Sequence, residues 1–152
     1  MTTYLEVTNE LVQALDIALP EWVIDCVEKV SMAWEGQTSP QLLAEAEQAA
    51  KKCYDEVMPD LRALLLTDID SQFVSPLSVI RKAVSFPTKV LRSNNVPEVI
   101  RDEFAIRNFP EDVYDLSPAS FGDLNAELQE LGIAWGAAKA HTHLQRRKQG
   151  SL

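Results

Sequence analysis

Apolar residues recur along this chain at helical spacing and almost nowhere in strict alternation. Tyr4, Leu5, Leu11, Val12, Leu15 and Leu19 form one stripe, and Trp22, Val23, Cys26, Val27, Val30, Ala33 and Trp34 form a second. After a turn at Gly36-Gln37-Thr38, a third stripe follows: Leu42, Leu43, Ala46, Ala49, Ala50, Cys53, Tyr54 and Val57. It is set among alanines, glutamates and lysines, so helix propensity and periodicity agree there. A shorter helix with Leu61, Leu64 and Leu65 is predicted to end near Thr67-Asp68. The last element runs from roughly Leu124 to Arg147, with Leu124, Leu128, Leu131, Trp135 and Ala138 in register. The only β-like piece, Gln72-Phe73-Val74, is too short to build a sheet.

Eight prolines punctuate this pattern. Pro20, Pro59, Pro97 and Pro110 each precede an acid (Glu21, Asp60, Glu98 and Glu111), whereas Ser39-Pro40, Ser75-Pro76 and Ser117-Pro118 place a hydroxyl before the ring. Proline has no N–H and a helical φ, so it suits the first helical position, where a serine cap or a first-turn carboxylate meets the exposed amides. On this reading the prolines start helices. Beyond residue 75, Pro76, Pro87, Pro97 and Pro110 then leave room only for short helices, which need packing to persist; Phe73, Phe86, Phe104, Phe109 and Phe121 are their expected anchors. The predicted architecture is a single all-α domain over residues 1–148. Three longer N-terminal helices and a long C-terminal helix enclose its core, several short Pro-initiated helices wrap one side, and residues 149–152 fray.

Composition narrows the class without naming a chemistry. A chain of 152 residues suits one domain, and 46% hydrophobic with 24% charged residues is too apolar for a disordered protein. No run of about 18 apolar residues is present to span a bilayer. Met1 to Glu6 has neither the basic lead nor the apolar stretch of a signal peptide, so a cytoplasmic protein without membrane attachment is expected. The net charge of −9 is uneven: residues 1–60 carry twelve acids and three bases, while residues 131–152 carry four bases and no acid. An acidic body disfavours general binding of nucleic acid or anionic membrane, but its basic tail can grip phosphate or fold back onto acids. Cys26 and Cys53 each fall on an apolar face, as buried thiols do; a disulfide between them would need close Cα atoms.

Candidate chemistry is sparse. Asp68-Ile69-Asp70 resembles the DxD of aspartate-nucleophile phosphatases or metal sites. No glycine lies between Gly36 and Gly122 to let a loop close there, and exposed helix-end carboxylates are the simpler reading. His141 and His143 point about 200° apart on a helix and have no partner motif, so no metal or cofactor is expected. Lys139 reads as a helix-end cation complementing the dipole. Gly132, Gly136 and Ala140, spaced by four with Trp135 beside them, form a smooth ridge for a second helix, either within the chain or across a homodimer.

Two resemblances add expectations. Ala83-Val84-Ser85 followed by Pro87-Thr88-Lys89-Val90-Leu91-Arg92 resembles the helix-turn-helix of repressors, without the glycine of its turn. Arg81, Lys82, Lys89, Arg92 and Arg101 oppose one acid across residues 75–101, and with Arg146, Arg147 and Lys148 they are the candidate contacts to nucleic acid or an acidic partner. The stretch Phe109-Pro110-Glu111-Asp112-Val113-Tyr114-Asp115-Leu116, with Pro118-Ala119-Ser120-Phe121 and Leu131-Gly132-Ile133-Ala134-Trp135-Gly136-Ala137-Ala138-Lys139-Ala140-His141, resembles a block of small helical actinobacterial proteins to which no activity is assigned. That resemblance implies a helical cytoplasmic protein and transfers no catalytic residue. The expected function is non-enzymatic: interaction or regulation through a helical surface, with a protein partner or a second copy. The alternatives are a nucleic-acid-binding regulator using 75–101 and the basic tail, and an enzyme built from scattered groups such as Arg81, Asp112, Tyr114 and Lys139.

Overall fold

The computed structural model describes residues 3–66 and 76–150. They form six helices: α1 (Tyr4–Glu35), α2 (Pro40–Leu66), α3 (Pro76–Ser93), α4 (Glu103–Asn108), α5 (Phe121–Leu124) and α6 (Leu128–Gly150). Among the described residues there is no strand, so the fold is all-α, as the periodicity predicts. The Asp68-Asp70 pair, the Gln72-Phe73-Val74 piece, Phe73 and the last two residues of the expected frayed tail lie outside the described residues; Gln149 and Gly150 belong to α6.

Local signals set several helix ends. The Thr3 hydroxyl accepts from the Glu6 amide at 3.2 Å, and Gly36 closes α1 in the left-handed region (φ 76°) with its amide on the Met32 carbonyl. Ser39 caps α2 through the Leu42 amide at 3.1 Å with Pro40 at the first helical position, and Pro76 begins α3. At the end of α3, Asn95 takes the left-handed conformation (φ 58°) while the Val96 amide reaches back to the Leu91 carbonyl.

Three prolines overturn the helix-start reading. Pro20 lies inside α1, Pro59 inside α2 and Pro87 inside α3, so the first two predicted helices are one 32-residue helix. A mid-helix proline costs about 3 kcal/mol locally. Here the stripe on either side of Pro20, from Leu11 and Leu15 to Val23 and Val27, is fully buried, and the hydrophobic gain of one continuous packed face exceeds that cost. Pro59 lies on an exposed face, where water can reach the carbonyl that loses its donor. The wrap of short Pro-initiated helices is likewise replaced. Pro76 starts an 18-residue helix, α4 starts at an Asp102 cap, α5 follows Ser120, and Pro97, Pro110 and Pro118 lie in non-helical chain.

α1 packs along α2, and the small residues Ala46, Ala49, Ala50 and Cys53 let the two helices approach closely. α3 crosses both, and α6 leans on α1 and α5. Residues 94–120 cross the surface as an irregular strap. Val99 donates to the Val113 carbonyl (3.0 Å), and buried Tyr114 donates its hydroxyl to the Val96 carbonyl (2.6 Å). Asp112, 4% exposed, accepts from the Leu116 and Ser117 amides and the Ser117 hydroxyl. The aromatic anchors divide: Phe86 is buried and Phe121 packs on the core, while Phe104 is 72% exposed.

Candidate functional site

Where the far end of α2 passes α3 and α6, the packing leaves a cavity of about 370 Å³. The α2 stripe continues there through Val57, Leu61, Leu64 and Leu65, and α3 presents Val79, Ile80 and Ala83. The third wall is Phe121 and Leu124 of α5 with Trp135 and Lys139 of α6. These are the same i, i+3, i+4 positions that make a filled core elsewhere. Ala83 is the smallest side chain that α2 and α3 present to the cavity. The cavity's volume lies at the lower end of the range for sites that hold drug-sized molecules.

Trp135 is the hinge of this wall. Its ring meets Phe121 edge-on (centroids 5.9 Å apart, 80°) and Tyr4 at 6.5 Å, while the Tyr4 hydroxyl donates to the Leu65 carbonyl at 2.7 Å, tying the start of α1 to the end of α2. The Trp135 Nε1–H is buried with no acceptor among the described residues. Lys139, one turn further along α6, holds its ammonium 4.7 Å from the Trp135 ring centroid. No ion pair joins it to a described residue, and it is the one ionisable side chain among the described residues lining the cavity.

The ridge expected for a second helix is divided in its use. A Cβ at Gly132 would stand 2.7 Å from Phe121 Cδ2, so this glycine admits Phe121 of the same chain, whereas Gly136 faces open space and Ala140 is exposed. The helix-turn-helix expectation is corrected outright: Ala83-Val84-Ser85 lies within α3, which runs unbroken to Ser93, so no turn separates two helices. Its cations are mostly engaged in holding the strap. Arg81 donates to the Asn108 carbonyl, Arg101 to those of Phe109 and Pro110, Lys82 to the Glu56 carbonyl and the Asp60 carboxylate, and Arg92 pairs with Glu98 at 3.7 Å. Lys89 lies over the Phe86 ring. Arg146, Arg147 and Lys148 occupy the last turns of α6.

The scattered groups considered for catalysis do not converge. Arg81 and Asp112 line a separate cleft of about 290 Å³ with Ser85, Glu111 and Ser117, Tyr114 is bonded into the strap, and Lys139 stands at the apolar cavity. Burial pushes both thiols up to about 12, with Asp25 and Asp112 adding at Cys26 and Glu56 at Cys53; both are free and buried. Burial also raises the Tyr114 hydroxyl. Among the described residues no three His, Cys, Asp or Glu side chains gather as a metal would need, and no helix is long and apolar enough to cross a membrane.

Periodicity places the cavity residues on inward faces but reads them as core. The signal for more was the Trp135–Lys139 spacing of four on the apolar side of α6. The chain matches no protein-family model, no curated protein and no solved structure. Geometry alone therefore carries the functional reading.

Proposed function

We propose that this is a non-enzymatic binding protein whose recognition site is the apolar cavity between α2, α3 and α6, and whose ligand is a small apolar molecule. The observation that carries this reading is a ligand-sized space with aliphatic walls, continuous with the buried core of the chain. Burying apolar surface there is worth roughly 25 cal/mol per Å². Arg81 and Asp112 share one cleft, but Tyr114 is bonded into the strap and Lys139 stands at the other cavity, an arrangement that favours binding over catalysis. Titration with N-phenyl-1-naphthylamine, a neutral apolar fluorophore, tests the reading. Saturable binding is expected, and Ala83→Leu, which fills the space with a side chain of the same character, is expected to lower it by tenfold or more while the far-ultraviolet circular dichroism is unchanged. Equal binding by a folded Ala83→Leu protein would place the fluorophore elsewhere and refute the site.

A second reading, contact with a protein partner or a second copy, is favoured by one segment. Val99, Ile100, Phe104 and Ile106 are all exposed within eight residues, Ile100 completely. Solution mass measured at two concentrations tests self-association through that surface.

A further inference from the structure

We infer that the cavity is selective for an apolar molecule carrying one carboxylate, a medium-chain or aromatic acid, with the carboxylate seated on the Lys139 ammonium. This rests on the reading of the cavity as a binding site and adds the ligand's chemical class. In a protein of net charge −9, the one ionisable group among the described residues of an otherwise apolar wall is a cation. Among the described residues it has no carboxylate partner; its neighbour is the face of Trp135, and the chain offers no acid after residue 130 to compete for it on α6. An ammonium held over an indole face beside aliphatic side chains is partly removed from water, where a charge-assisted hydrogen bond is stronger than at an open surface. Trp135 of the same wall also holds a buried Nε1–H with no acceptor among the described residues. A buried donor without an acceptor is unfavourable, and a modest turn of the ring toward a bound carboxylate would satisfy it. The aliphatic side chains of α2 and α3 supply most of the remaining wall, so the ligand complementary to a lone cation there has one anionic end and an apolar body.

The experiment displaces N-phenyl-1-naphthylamine from the full chain with decanoate, with 1-decanol and with decylamine, in the wild type, Lys139→Met and Lys139→Arg. Decanoate is expected to bind about tenfold more tightly than the alcohol, the worth of one charge-assisted hydrogen bond, with the amine weakest. Lys139→Met, which keeps an apolar chain on Trp135, is expected to abolish that preference by weakening decanoate alone, and Lys139→Arg to restore most of it. Equal affinity for acid and alcohol in the wild type would overturn the carboxylate assignment while leaving the cavity as a binding site. Equal loss of both ligands in Lys139→Met would overturn it too. Failure of the fluorophore and every chain compound to bind would refute the cavity itself. Association with vesicles of anionic phospholipid without binding of free decanoate would overturn the assignment in favour of a membrane surface.

Discussion

The two ends of α2 carry the same repeat and meet opposite fates. Through Ala46, Ala49, Ala50 and Cys53 the helix lies against α1 with its stripe sealed; through Leu61, Leu64 and Leu65 it faces a cavity across which stand Trp135 and Lys139. The difference lies in what stands opposite. α1 presents a continuous face, with Leu11, Leu15, Val23 and Val27 fully buried. Among the residues of α6 whose burial is described, Leu128 alone is buried, and Ile133 and Leu144 are exposed. An apolar stripe tells which way a helix turns its back on water, and the partner decides whether the space behind it is filled.

The largest expected effect tests how dry the sealed end is. Cys26 and Cys53 keep their protons to about pH 12 in the folded protein, whereas an exposed thiol releases its proton near pH 8.5. Above that pH the unfolded chain binds fewer protons than the folded one, so stability falls as pH rises, by up to about 1.4 kcal/mol per pH unit for each thiol. Urea unfolding under reducing conditions at pH 8 and pH 10 is expected to show this loss, and Cys26→Ala with Cys53→Ala to remove most of the pH dependence. An unchanged pH dependence in the double variant would mean that both thiols already meet water.

A smaller effect separates the two parts of α6. Gly132→Ala places a methyl against Phe121 and is expected to destabilise by about 1–3 kcal/mol, because the ring and its own Cβ both crowd the position. Gly136→Ala meets nothing within 4 Å and is expected to stabilise by up to about 1 kcal/mol through helix propensity alone. Thermal unfolding of the two variants reads the contrast. A ridge packed along its whole length would make both substitutions harmful.

Helix type and the inward faces of α1 and α2 were legible in the sequence, because apolar spacing, the Ser39-Pro40 start and the Gly36 stop are local signals. The continuation of α1 through Pro20 and of α3 through Pro87 was not. A proline's local cost is visible in sequence, but the burial of Val23 and Leu91 that offsets it depends on helices distant in the chain. The cations of 81–101 were visible as a cluster, yet Arg81 and Arg101 hold carbonyls of the strap at Asn108, Phe109 and Pro110, contacts set by a chain path that no periodic signal describes. In the sequence Lys139 stands out as a helix-end cation and Trp135 as the ring beside a small-residue ridge. Their joint place in the cavity wall depends on where α6 lies against α1 and α5.

The contrast between the sealed and the open end is tested most directly by methyl and indole nuclear magnetic resonance of the full chain titrated with decanoate. The account predicts that the Trp135 indole N–H and the methyls of Leu61, Ile80 and Leu124 shift together with one saturating dissociation constant, while those of Leu15 and Val23 stay still. Shifts confined to the exposed residues 99–106, or spread evenly over α1 and α2, would contradict it.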